Sequence, residues 1–154
     1  MNALSCVLLA CLPAAPLQDA PDDPLAAQRD AFAATMRNAV LTGRFTIDGA
    51  ADKMPEERYE IGQVTWVKDD LWTIAARIQY GKNDYTVPVP VKVLFAGDTP
   101  VITLEETTLA GVGTFSARVL VHKTGAGQMR YAGTWQHDDK GGCMFGVVSS
   151  AKQD

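Results

Sequence analysis

"RYAGTWQHDDKGGCMFGVV", residues 130–148, decides how the rest of the chain is read. It holds a Trp, a His, two adjacent Asp and the only Cys outside the N-terminal region. Those letters suit either a small active site or a β-hairpin with a polar tip. The order of residue types favours the hairpin. Two segments with inward-capable apolar residues, 129–137 and 141–149, flank "DDKGG" at 138–142. Asp and Gly are the residues a tight turn needs, because some of its positions require positive φ. Gly133 and Gly146 lie inside the two strands, where a missing side chain implies that a helix or an aromatic ring packs close over the backbone.

The same punctuation recurs upstream. Turn signals stand at "KDD" (68–70), "GKND" (81–84), "AGDTP" (96–100), "AGVG" (110–113) and "KTGAG" (123–127), their centres 13 to 15 residues apart. Even spacing means strands of similar length joined by short connections, an antiparallel meander. A βαβ fold would need crossover helices between the strands. Period-2 alternation agrees. Trp72, Ile74, Ala76, Ile78 and Tyr80 share one face of 71–80, and Phe115, Ala117, Val119 and Val121 share one face of 114–123. In "ERYEIGQVTWV" (57–67) the phase slips from Tyr59 and Ile61 to Val64 and Trp66, with Gly62 at the slip, so a β-bulge is expected there. About eight strands fit between residues 43 and 150.

"YTVPVPVKVLF" (85–95) limits the architecture. Its odd residues, Val87 to Phe95, form one face, and Pro88 and Pro90 delete two amide donors toward the same neighbouring strand. That side is a sheet edge or a weakened seam. The expected fold is therefore mainly β: an N-terminal helix, then an antiparallel meander of about eight strands that is barrel-like, with or without a gap in its closure, or a sandwich with its edge here. The helix is placed at 24–41. Asp23 is its N-cap, Pro24 its first residue and Gly43 its stop, with Leu25, Phe32, Met36 and Val40 on one stripe.

The first 28 residues contain neither Lys nor Arg, and "ALSCVLLACL" (3–12) is a short apolar core followed by Pro, Ala and Asp. This pattern resembles an export signal without its positive n-region, a defect that a start codon placed too late explains. "LLAC" (8–11) resembles a bacterial lipobox, which makes Cys11 the candidate lipidation site; cleavage near Ala14 or Ala15 is the alternative. The chain then divides into a signal or lipobox segment (1–15), a tether (16–23) and one domain (24–150). The expected localisation is the periplasm or cell envelope. Once Cys6 and Cys11 are removed or acylated, Cys143 stands alone and no intramolecular disulfide can form.

Composition excludes some classes. A net charge of −4 speaks against a nucleic-acid partner, and no apolar run reaches the length of a transmembrane helix, so a membrane contact would come only through a lipid anchor. His137, Asp138, Asp139 and Cys143 lack the spacing of a metal site, and no cofactor is implied. Cys143 and Ser149 lack a nucleophile signature beside His122 or His137. The pairs Glu56–Glu57, Asp69–Asp70 and Glu105–Glu106 read as surface charge, since neighbours along a strand face opposite ways. Cys143 reads as a partly buried apolar residue. The aromatics remain. Trp72, Tyr80, Phe95, Phe115 and Trp135 are candidate ligand-binding residues if the interior is open, and they are core if it is filled.

"LTGRFTIDG" (41–49) after a helix, with a regular meander ending in "YAGTWQHDDKGGCMFG" (131–146), resembles the calycin or lipocalin-like barrels in layout over 41–150. The chain departs from them at the Val-Pro-Val-Pro strand and in having no disulfide. It also resembles uncharacterised families of small exported bacterial proteins. Neither resemblance transfers a ligand residue. Two functions stand: a non-catalytic module that meets a protein partner at the envelope, expected to have a filled core and an exposed apolar patch, or a binder of a small apolar ligand. An enzyme would need polar groups such as Arg77, Arg118, His122 or His137 converging inside.

Overall fold

The computed structural model describes residues 23–50 and 52–150. The signal and tether segments, with Cys11, lie outside the described residues except for Asp23. One helix, α1 (Ala26–Met36), precedes eight strands: β1 (Ala39–Phe45), β2 (Glu56–Lys68), β3 (Leu71–Tyr80), β4 (Asn83–Ala96), β5 (Thr99–Leu109), β6 (Gly113–Lys123), β7 (Met129–His137) and β8 (Lys140–Ser150). Each strand pairs with the next, and β1 pairs with β8 from Ala39↔Ser150 to Phe45↔Met144, so the sheet closes. The protein is an up-and-down antiparallel barrel, not a sandwich.

All six turns fall where the Gly and Asp signals stand. Asp69, Gly81, Gly97, Gly111, Gly127 and Asp138 have φ between 48° and 85°, the left-handed region those residue types tolerate best. The bulge in β2 lies between Ile61 and Val64, at the Gly62 phase slip.

The prolines weaken a seam without opening an edge. β4 pairs with the whole of β3, from Leu71↔Lys92 to Tyr80↔Asn83, but pairs with β5 only from Lys92↔Thr103 to Ala96↔Thr99. Pro88 and Pro90 stand in the half of β4 that β5 has left. Opposite them β5 bulges between Leu104 and Thr107, with Glu106 at φ 46°.

The helix is shorter than its apolar spacing suggested. It ends at Met36, Asn38 turns the chain at φ 58°, and Val40 already belongs to β1. Residues 36 and 40 fit helical spacing, yet Ala39 and Leu41 alternate into the barrel, and closure with β8 outweighs one more helical turn. Leu25, not Asp23, is the N-cap and has no side-chain cap. Asp23 Oδ1 instead accepts from the Leu25 amide at 3.0 Å, and its carboxylate pairs with Arg29. Gly43 is not a helix stop. It sits mid-strand in β1, for a reason given below.

Helix α1 plugs one end of the barrel. Phe32 and Met36 are its buried residues, and the Phe32 ring meets Trp72 edge-on, 5.1 Å between centroids. Around them Val64, Ile74, Val91, Val93, Val119 and Val121 are buried, so this half of the interior is filled. Burying a Phe side chain contributes about 1.5–3 kcal/mol, which makes the plug a stabilising element of the fold.

Candidate functional site: the aromatic mouth over Glu57

The end that α1 leaves uncovered is built differently. The alternation that turns Tyr59 and Ile61 inward also turns Glu57 inward, and only 4% of Glu57 is exposed. This corrects the reading of Glu56–Glu57 as a surface pair: Glu56 is outside, and Glu57 is inside the barrel. Both of its oxygens are taken. Tyr59 donates its hydroxyl hydrogen to Oε2 and Tyr131 donates to Oε1, each at 2.8 Å. No ion pair to Glu57 exists among the described residues.

Tyr131 reaches Glu57 from three strands away. The pairings Tyr131↔Gly146, Gly146↔Gly43 and Gly43↔Glu57 form one row across β7, β8, β1 and β2. The two intervening residues are glycines. A Cβ on Gly43 would strike the Tyr131 hydroxyl, and one on Gly146 would strike the Tyr131 ring. The tyrosine therefore lies flat over bare backbone, which is the close aromatic packing that Gly146 implied in the sequence. Gly133 differs: there the backbone of Arg118 and Val119, not a ring, occupies the space.

Burial raises the Glu57 carboxyl above its usual range, and the two tyrosine hydroxyls oppose that shift without cancelling it. Burial, followed by the charge of Glu57, pushes Tyr59 well above its ordinary value, and Tyr131 rises for the same reasons. Both phenols are protonated at neutral pH and act as donors.

Aromatic rings surround this carboxylate on the mouth side. Tyr80 is paired with Glu57 in register. Phe45 stands edge-to-face with Tyr80 at 6.2 Å and with Trp135 at 5.4 Å, and Tyr80 stands at 90° to Tyr85. Trp135 is held by donation from its indole Nε1 to the Thr46 carbonyl at 3.2 Å, and the Tyr85 hydroxyl is 2.9 Å from that of Tyr80. Phe45, Tyr80, Tyr85 and Trp135 are all partly exposed, in contrast to the sealed helix end.

The five aromatics singled out from sequence do not line one space. Tyr80 and Trp135 belong to the mouth, bridged by Phe45. Trp72, 1% exposed, is under α1. Phe95, paired with Pro100 near the β4–β5 turn, is also at the helix end. Phe115 stacks on His137 at 4.1 Å beside the mouth. Sequence reasoning missed Glu57, Tyr59, Phe45 and Tyr131. The inward phase of Tyr59 and Ile61 was the available signal for Glu57, because residues two apart on a strand share a face.

Elsewhere, Cys143 is exposed on the outer face of β8, contrary to its reading as a partly buried apolar residue, and its amide donates to Thr46 Oγ1 at 2.9 Å. It lines a shallow outer depression of about 460 Å³ with Arg118 and Lys140. A second depression of about 420 Å³ runs beside α1 under Trp66 and Arg29. Asp138 caps the hairpin tip, its Oδ1 accepting from the Thr114 amide. Among the described residues no helix is long and apolar enough to cross a membrane, and no three His, Cys, Asp or Glu side chains gather as ion ligands.

These features define a closed eight-stranded β-barrel protein with one end plugged by a helix and the other formed by aromatic rings around a buried carboxylate. No family model, curated protein or solved structure matches the chain.

Proposed function

We propose that the chain is an exported, non-catalytic recognition barrel, lipocalin-like in layout, whose mouth holds a small ligand. The observation that carries this reading is the asymmetry of the two ends. The helix end is packed with buried side chains. The mouth end keeps Phe45, Tyr80, Tyr85 and Trp135 partly exposed above a buried acid, the mixture of aromatic walls and a few fixed polar groups that ligand sites use. The non-catalytic part is supported by the state of the two tyrosines. Tyr59 and Tyr131 are protonated donors committed to Glu57, so neither serves as base or nucleophile near neutral pH. Export is supported by the apolar stretch at 3–12 and the lipobox-like "LLAC".

Native mass spectrometry of the gently purified chain tests the binding reading. A reproducible non-covalent adduct is expected, and it should disappear in Trp135→Leu while the far-ultraviolet spectrum stays that of the barrel. An adduct indifferent to Trp135→Leu and Phe45→Leu would refute the mouth as the site.

A second reading, docking of a protein partner at the cell envelope, is favoured by the outer surface. Leu94, Val101, Leu120, Ala132 and Phe145 follow one another in register across β4 to β8. Leu94, Leu120 and Phe145 are 50%, 37% and 43% exposed. In an eight-stranded barrel five strands cover about half the circumference, so only a concave partner could meet the whole row. Loss of a cross-linked complex in Leu120→Asp, with the ligand adduct retained, would assign the partner contact to this row.

A further inference from the structure

We infer that the helix end of the barrel is a second recognition site, where the unpaired edge of β2 takes an extended peptide as an added strand and Arg37 takes that peptide's C-terminal carboxylate. This site lies at the opposite end from the mouth and does not depend on the reading given to the mouth.

β1 covers β2 only as far as Val40↔Glu60, while β3 stays paired with β2 through the bulge to Lys68↔Leu71. The Gly62 carbonyl accepts from the Asn38 amide at 3.4 Å; beyond it, among the described residues, no backbone bond reaches β2 on its β1 side. Alternation says which groups stand open. Val93 donates to the Asp70 carbonyl, so Asp70 faces β4 and Thr73 faces β2. Thr65, paired with Thr73, therefore faces β3, and the N–H and C=O groups of Val64 and Trp66 turn to the open side. Such an edge is a template for another strand. A groove of about 420 Å³ runs along it, with Gln63, Val64, Thr65 and Trp66 on one wall and α1 on the other. Binding clefts have volumes of this order. Trp72 also lines the groove; it is 1% exposed, and its indole Nε1 has no hydrogen-bond partner. A buried donor left unpaired is costly, and an entering peptide brings carbonyl acceptors to the wall that Trp72 forms.

Shape and charge set what enters. The chain at Arg37 and Asn38 closes the groove at its Gln63 end, where Asn38 meets Gly62. A peptide antiparallel to β2 runs in the direction of β1, so its C-terminus arrives at that closed end. Four charged side chains line the groove: Asp23, Arg29, Asp30 and Arg37. Asp23 and Arg29 pair with each other, and Arg29 also lies over the Trp66 ring at 4.6 Å. Arg37 has no ion-pair partner among the described residues. Its full charge exceeds the roughly half-unit negative charge of the helix C-terminus beside it, so the closed end attracts an anion. Asp30, about two turns back along α1, repels an acidic side chain there and favours a basic one. Side chains turned inward meet Ala33, Val64 and Trp72, which suits valine, a good strand former. The occupant is thus a free, extended, apolar C-terminus with a Lys or Arg a few residues before its end.

The test is fluorescence polarisation of the peptide Lys-Thr-Val-Thr-Val, labelled with fluorescein at its N-terminus, titrated with the full chain. The free acid should bind at least about tenfold more tightly than the C-terminal amide. Arg37→Ala should bring the acid down to the affinity of the amide and leave the amide unchanged, which a general loss of folding would not do. Strand addition has its own signature. Methylating one backbone nitrogen should weaken binding by about tenfold or more, and methylating the next should leave it within about twofold, because alternate amides face β2. The comparisons among peptides use wild-type protein, so they stand even if Arg37→Ala fails to fold. No binding of the acid below about 1 mM would overturn the site. Equal binding of acid and amide would overturn the role of Arg37, and equal effects of the two methylations would overturn the added strand. Trp135→Leu should leave the peptide bound; its loss there would move the peptide to the mouth and sink this site.

Discussion

Tyr131→Phe removes one hydroxyl from the barrel and nothing else. The ring still covers Gly146, so its packing is kept and the change acts chiefly on the bond to Glu57 Oε1. A hydrogen bond to a charged group contributes about 1.5–3 kcal/mol, which sets the expected loss at neutral pH near 2 kcal/mol. For a domain of this size that lowers Tm by about 6–10 °C. The loss should also depend on pH, in a known direction. The Glu57 carboxyl is raised in the folded state, so between its ordinary range and its folded value the native state holds more protons than the unfolded state. Stability therefore falls as pH rises through that window, and what Glu57 costs the fold is absent below it. The tyrosine hydroxyl opposes the rise. Without it the carboxyl moves higher still, the window widens, and the variant loses more stability across it in total than the wild type does. Below the window Glu57 is neutral and the missing bond is an ordinary one of about 0.5–1.5 kcal/mol. Urea unfolding followed by far-ultraviolet dichroism near pH 4 and near pH 7.5 measures both limits. A penalty below about 0.5 kcal/mol at pH 7.5, or the same penalty at both, would refute the claim that the two tyrosines hold a buried charge.

Other substitutions probe the elements that place this site. Gly146→Ala should cost more than about 3 kcal/mol or prevent folding, because the new Cβ meets the Thr42 carbonyl and the Tyr131 ring; a soluble variant of normal Tm would contradict the row of bare backbone. Phe32→Ala should lose about 3–5 kcal/mol and shift Trp72 emission to the red as the helix plug loosens, measured by urea titration with fluorescence. Asp138→Ala should cost about 1–2 kcal/mol, since it forfeits the bond from the Thr114 amide and keeps a φ of 50°, whereas Asp138→Gly should be near neutral in the same thermal melt. If Cys11 is acylated, Cys11→Ser should move the protein from the membrane to the soluble fraction on cell fractionation, and an unchanged distribution would reject the lipid anchor.

The strand layout was legible because it is local. Each turn is announced by a Gly or Asp that the left-handed region requires, and each strand by its own alternation. The helix boundary was not legible, because Met36 and Val40 are four apart and only the pairing of Ala39 and Leu41 with β8 assigns them to different elements. Closure was not legible for the same reason: β1 and β8 lie about a hundred residues apart in sequence, and nothing in either strand names the other. The buried acid was half legible. Reading Glu56 and Glu57 as a pair hid what the phase of Tyr59 implied for Glu57 alone. Its partner Tyr131 could not be read, because the contact depends on two glycines in two further strands coming into register.

Closure and the two prolines are compatible because the barrel is not equally tight along its length. At the helix end β4 and β5 are paired, Lys92↔Thr103 through Ala96↔Thr99. Toward the mouth β4 keeps β3 and β5 keeps β6, but β4 and β5 part, and the bulge at Glu105 and Glu106 carries β5 away. A parted strand exposes amides that another chain could pair with. The amide of Val93 bonds toward β3, to the Asp70 carbonyl, so the alternate residues 88 and 90 face the seam, and there proline has no donor to expose. The Val-Pro-Val-Pro sequence thus keeps an inward valine face for the core while leaving no amide donors at 88 and 90 where β4 and β5 part. That parting flanks the mouth, while at the plug β2 beyond Glu60 has no β1 partner. The parting of β4 and β5 loosens the wall beside the aromatic rings and the buried acid, where a binding site can admit its ligand without disturbing the packed half beneath.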